Sequence, residues 1–150
     1  MKNPVHIRPL RASDRAAWDA LWAGYLTFYK TELDDSVSDH TFARVLSGEL
    51  IGLVACDGDE AGAPLGIAHA MLHAGTWSPK PVCYLEDLFV SEAARGRGVG
   101  RALIEHLAER GRNAGWLRLY WQTASDNITA QNLYDRLAQR TGWLRYELEL

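Results

Sequence analysis

Residues 82–107, VCYLEDLFVSEAARGRGVGRALIEHL, decide how this chain folds. They read as a strand, a tight glycine-rich loop and a helix. Val82–Val90 is an apolar run that carries two adjacent acids, Glu86 and Asp87. The loop Arg95-Gly96-Arg97-Gly98-Val99-Gly100 runs straight into a helix with Leu103, Ile104 and Leu107 on one face. The first N–H groups of a helix have no internal acceptor, and the macrodipole adds about half a positive charge there. Glycines at 96, 98 and 100 let a large anion reach the backbone without meeting a Cβ. Arg95, Arg97 and Arg101 add side-chain charge. The junction predicts a phosphate or pyrophosphate cradle with two carboxylates just upstream.

On the N-terminal side, Val5–Leu10 reads as a strand. Ser13 is the expected N-cap of a helix over Asp14–Tyr29, with Trp18, Leu21, Trp22, Tyr25 and Leu26 at helical spacing. An acidic connector, Lys30–Asp39, holds Glu32, Asp34 and Asp35. Ser38 or Asp39 then starts a short helix to about Leu46, stopped by Gly48. Glu49–Cys56 and Leu65–Ala74 read as a hairpin around the turn Asp57-Gly58-Asp59-Glu60. On the C-terminal side the helix over Gly98–Arg112 breaks at Asn113-Ala114-Gly115. A strand follows at Trp116–Thr123, then a helix over Asn127–Arg140 capped by Ser125 or Asp126, then an alternating strand, Trp143–Leu150. The order β-α-α-β-β-β-α-β-α-β predicts a single α+β domain over residues 1–150, three layers on a mixed central sheet. Antiparallel hairpins come first, and a parallel crossover joins Val82–Val90 to the strand at Trp116.

Composition narrows the function. The net charge of −3 speaks against a general nucleic-acid or membrane-surface role, which needs clustered Lys and Arg. No run approaches the ~20 apolar residues of a membrane span. Cys56 and Cys83 sit in apolar strands without CxxC spacing, as buried thiols in a reducing compartment would, so a cytoplasmic protein is expected. His69 and His73 share one face of their strand with no third ligand evident, so no metal is expected.

Two common phosphate loops fail on named residues. A Walker A loop needs Lys-Ser or Lys-Thr after its glycines, and a dinucleotide fingerprint needs glycine where Arg101 stands. The pattern [QR]-x-x-G-x-[GA] fits Arg95, Gly98 and Gly100. With YLEDLFV before it and Asn127-x-x-Ala130-x-x-Leu133-Tyr134 after it, the chain resembles the GCN5-related N-acetyltransferases. LEDLFV, Tyr120-Trp121-Gln122-Thr123 and Phe28-Tyr29 look closest to the histone/polyamine-type and diamine acetyltransferase branches. Arg140-Thr141-Gly142-Trp143 departs from the shorter Leu-Gly-Phe turn of many members.

The resemblance implies acetyl-CoA as cofactor and a homodimer. Leu88, Phe89 and Val90 would bind the pantetheine arm through backbone, as an added strand. Arg95, Gly96, Arg97, Gly98, Val99, Gly100 and Arg101 would hold the pyrophosphate, and Asn127 would cap its helix or touch the cofactor. A primary ammonium, pKa about 10.4, is neutral in roughly one molecule per few thousand at pH 7, so a general base helps. Glu86 is the expected base, or else an orienting group. Strand alternation lets only one of residues 86 and 87 face the cleft, which leaves Asp87 structural. Tyr134 is the expected acid for the leaving thiolate, or an inward core aromatic. Tyr25, Phe28 and Tyr29 would border the acceptor, where aromatic faces suit a cationic amine. The leading function is acetyl transfer to a polyamine, diamine or lysine-type amine. An antibiotic- or amino-acid-modifying acetyltransferase and a non-catalytic acyl-CoA-binding module are the alternatives.

Overall fold

A computed structural model describes residues 2–150. One five-stranded sheet runs in the order β1 (Val5–Pro9), β2 (Ile51–Asp57), β3 (Pro64–His73), β4 (Val82–Val90) and β5 (Arg118–Tyr120). The first four are antiparallel neighbours, and β4 and β5 are parallel. Helix α3 (Val99–Ala114) makes the parallel crossover. Strand alternation sorts the core into two layers. Leu53, Ala55, Ala68, Ala70, Cys83 and Leu85 pack under Leu103, Ile104 and Leu107 of α3, with Tyr134 and Leu137 of α4 (Ile128–Leu137) alongside. Val54, Cys56 and Ile67 face Trp18, Leu21 and Trp22 of α1 (Arg15–Phe28) and Phe42 and Val45 of α2 (Asp35–Ser47). The result is the expected three-layer α+β arrangement. Among the described residues no helix is long and apolar enough to cross a membrane.

Several boundaries differ from the sequence reading. The fifth strand is Arg118–Tyr120 and not Trp116–Thr123, and the last helix ends at Leu137 and not Arg140. Three further differences concern the first two helices and the chain end. Ser13 lies in a 3-10 turn and does not cap α1. The Asp14 carboxylate organises that turn, accepting the Arg11 N–H at 2.7 Å and two Arg8 N–H groups at 2.7 and 2.9 Å. Helix α2 starts earlier than expected. Asp34 caps it, accepting from the Ser36 N–H at 2.8 Å, and Asp35 sits in its first turn. Two acids of the supposed connector thus serve a helix start, where cap and macrodipole account for them.

The largest difference is at the end of the chain. Residues 139–150 form no regular element and pair with no strand, so the last β of the expected order is absent. Trp143, Leu144, Tyr146, Leu148 and Leu150 are between 78 and 115 % exposed. Alternation supplies an apolar face, but a strand needs a neighbour to satisfy its backbone.

Candidate active site

Strands β4 and β5 pair only at Val82–Arg118, Cys83–Leu119 and Tyr84–Tyr120. β3 stays on the other edge of β4 as far as Val90. From Leu85 onward one edge of β4 therefore borders an opening. Leu88, Phe89 and Val90 lie along it, and backbone groups not taken by β3 point into it. The loop and the start of α3 follow directly.

Gly96 and Gly98 have φ of +80° and +76°, and a Cβ on either would meet nothing within 4 Å. Their left-handed backbone demands glycine, and the space beside them is open. Ala102 is the first α3 residue with an in-helix bond, to Gly98 O at 2.9 Å. The N–H groups of Val99, Gly100 and Arg101 precede it and remain for an anion. Gly100 differs, because a Cβ there would make ordinary contacts of 3.7–3.9 Å with Leu133, Val90 and Leu88. The arginines divide too. Arg97 turns back to Asp57 Oδ1 at 2.7 Å and Asn3 O at 3.0 Å, its side chain 12 % exposed. That guanidinium fastens the loop to β2, so Arg97 offers its backbone rather than its charge. It holds the Asp57 carboxyl below the usual carboxylate range. Arg101 pairs with Glu105 on the surface at 2.8 Å. Arg95 makes no ion pair among the described residues.

The two acids sit at a break in the ladder. His69 is opposite Asp87, and the next pair is Ala70 with Leu85, so Glu86 is an extra residue, a β-bulge. The bulge cancels the alternation expected from sequence and brings both carboxylates near Tyr25. Burial raises the Tyr25 phenol pKa most, and the Asp87 carboxylate, as acceptor and charge, then adds to it, with a smaller push from Glu86. The Glu86 carboxyl is raised by desolvation first and by Asp87 second. Glu86 is exposed at the mouth of the opening and has no ion-pair partner among the described residues. The two arginines that act on it at a distance, Arg44 and Arg145, are paired with Glu49 and Glu147. Asp87 accepts from His69 Nδ1 at 2.9 Å, and the Trp18 indole N–H donates to His69 Nε2 at 2.9 Å. His69 and His73 share a face, as strand spacing predicts. The nitrogens of His73 engage Ala74 O and Tyr120 Oη, each at 2.9 Å.

Tyr134 closes the far side of the opening. Its ring meets Trp121 edge-on, centroids 5.5 Å apart. Burial raises its phenol pKa, with a smaller contribution from Tyr29. Its hydroxyl has no protein partner among the described residues. One cavity brings together Tyr25, Tyr29, Glu86, Leu88, Trp121, Gln122, Thr123 and Tyr134. A neighbouring hollow is lined by Phe28, Tyr29, Lys30, Ala124, Asp126 and Asn127. Asn127 is the N-cap of α4, its Oδ1 accepting from the Ala130 N–H at 3.2 Å, which leaves its amide N–H groups for the hollow. Phe89 points the other way, against α1, where a Cβ on Gly24 would lie 2.8 Å from its ring. The sequence reading ran the fifth strand on through Trp121, Gln122 and Thr123 and gave them no place in the site, but the strand ends at Tyr120. These three follow Tyr120, the last residue paired with β4, and only the early end of that pairing reveals them. The sequence reading also missed Lys30, whose φ of +52° is unusual for a residue with a Cβ.

The family model for the acetyltransferase (GNAT) family matches residues 7–138. The D-amino-acid N-acetyltransferase HPA3 of Saccharomyces cerevisiae is 37% identical over 149 residues, 98% of this chain and 92% of its own length. The thialysine N-epsilon-acetyltransferase of Mus musculus is 34% identical over 79 residues, 49% of this chain and 46% of its own. Among solved structures, a probable acetyltransferase superposes with a TM-score of 0.83 at 23% identity, covering 98% of this chain and 97% of that one, which speaks to the fold.

Proposed function

The chain belongs to the acetyltransferase (GNAT) family and is an N-acetyltransferase, and we propose that it moves the acetyl group of acetyl-CoA directly to a primary amine on a small cationic acceptor of the polyamine, diamine or lysine type. The residues present fit acetyl-CoA. A free β4 edge, open space beside Gly96 and Gly98, and free N–H groups at the start of α3 follow one another along the chain. Backbone from Gly96 to Arg101, with the Arg95 side chain, would hold the pyrophosphate. Leu88–Val90 would hold the pantetheine arm. Acetyl-CoA would supply the activated thioester.

The acceptor end follows from charge. One observation carries it: Glu86, at the mouth of the opening beside Asp87 and the Tyr25–Tyr29 wall, has no cation of its own. An ammonium entering there meets carboxylates and aromatic faces together. A raised carboxyl pKa makes Glu86 a stronger base for the ammonium proton. The Tyr134 phenol, raised as well, keeps its proton at neutral pH and holds it for the leaving sulfur.

A second reading has its own support. Lys30 lines the adjoining hollow and would suit an acceptor carboxylate, as in an amino acid, the substrate class named for the yeast relative. The deciding experiment mixes the protein with acetyl-CoA and a panel of diamines, polyamines, lysine derivatives and D-amino acids, following free thiol. Turnover with the cationic amines is expected. Preference for D-amino acids moves the acceptor to the second reading. Tight CoA binding without thiol release from any amine points to a binding module.

Two copies form the working unit in this reading. Two aromatic rings bury about 150–250 Å² each, so two reciprocal tails with their leucines exceed the roughly 1,000 Å² of a specific interface. Buried thiols at Cys56 and Cys83, the latter raised to about 11 by burial, suit a reducing cytoplasm.

A further inference from the structure

The Trp18 indole N–H is a donor only, so His69 Nε2, 2.9 Å away, must accept and carry no proton. The ring's proton therefore stands on Nδ1, and Nδ1 donates to Asp87 Oδ2 at 2.9 Å. Both ends are held in a dry place. Trp18 is 0 % and His69 1 % exposed, and the Asp87 side chain is 13 % exposed. The ring is also gripped from the side, its centroid 5.2 Å from that of Trp22 and 5.8 Å from that of Trp18. A histidine so fixed cannot pass a proton onward without giving up the indole. It works as a clamp, not as a relay.

Asp87 thus receives the His69 N–H on its buried side and stands beside the phenol of Tyr25, a residue that lines the cleft, with no Lys or Arg paired to it among the described residues. A carboxylate fixed by neutral donors and lacking a cation is preorganised for one from outside. We propose that His69 is a positioning residue: locked as its Nδ1–H tautomer by Trp18, it aims the Asp87 carboxylate at the cleft so that the acceptor ammonium meets two carboxylates, not one. This rests on the amine-acceptor reading above. The bulge at Glu86 supplies the second half of the arrangement, since a regular ladder would send the two acids to opposite faces.

The test has two arms. In the intact wild-type protein, ¹⁵N NMR of the histidine rings at pH 7.5 is expected to show His69 protonated on Nδ1 alone. Protonation on Nε2 overturns the clamp, and this readout stands even if no amine is acetylated. In the second arm, His69→Leu removes the donor at similar volume, while His69→Asn puts an amide N–H near the Nδ1 position. The Leu variant is expected to raise the amine KM by about tenfold or more, the scale of a hydrogen bond to a charged group. The acetyl-CoA KM is expected to stay within about twofold, and the Asn variant to recover most of the loss. Equal amine KM values in wild type and both variants overturn the proposal, as does a loss that the Asn variant leaves untouched.

Discussion

The two edges of β4 make opposite bargains with the rest of the molecule. Towards β3 the ladder runs for eight residue pairs, and towards β5 it stops after three. Behind the paired edge, Ala68, Ala70 and Ile67 are each 1 % exposed and chemically inert. Beside the unpaired edge stand four polar groups whose pKa values burial raises, Tyr25, Tyr29, Glu86 and Tyr134. One strand therefore carries stability on one side and chemistry on the other. The opening puts polar groups in partly dry surroundings and leaves Glu86 without an ion-pair partner and the Tyr134 hydroxyl without a hydrogen-bond partner among the described residues, the condition under which their proton affinities shift.

Substitutions that belong to one side only test that division. Glu86→Gln keeps the shape and removes the proposed base, so kcat/KM for the amine is expected to fall by about 10²–10⁴-fold, with acetyl-CoA affinity and melting temperature unchanged. A loss below about threefold would return Glu86 to an orienting role and erase the contrast.

Asp14→Ala belongs to the closed side. It strands Arg8, whose side chain is 10 % exposed, and is expected to cost about 3–5 kcal/mol in chemical denaturation. Turnover per folded molecule should be preserved. The Arg8 guanidinium holds the Asp14 carboxyl below its ordinary value. Its stabilisation is therefore present above the unfolded carboxylate pKa and lost as pH falls through the folded one. The variant should lack that acid-dependent loss, and an identical pH slope in both proteins would count against the pair.

A slight effect on turnover is expected from ending the chain at Ala138. The charge of Arg145 lowers the Glu86 pKa, so its removal lets Glu86 rise and moves the acidic limb of kcat/KM to slightly higher pH. Molar mass in solution should halve at the same time. An unchanged mass would detach the exposed tail from assembly.

What the sequence made legible was local. The strand at Val82–Val90, the glycines that turn the chain and the helix after them each follow from neighbours within a few residues. Opaque features involve residues far apart. Arg97 looks like one of three cradle cations until Asp57, forty positions earlier, takes its guanidinium. Trp18 looks like plain core until it meets His69, 51 residues on. Glu86 and Asp87 look like alternating neighbours because register is settled between strands and cannot be read from β4 alone. The tail reads as a strand by its alternation, yet no sequence pattern supplies the neighbour that would make it one.

The bulge separates what the sheet needs from what the reaction needs. Delete position 86 and the pairs on either side, Ala70 with Leu85 and His69 with Asp87, become consecutive rungs of a regular ladder. The proposed base occupies the one residue of β4 that the architecture can do without. A single-codon deletion would thus keep the ladder and remove the proposed base, and a single-codon insertion at the same place would put it back.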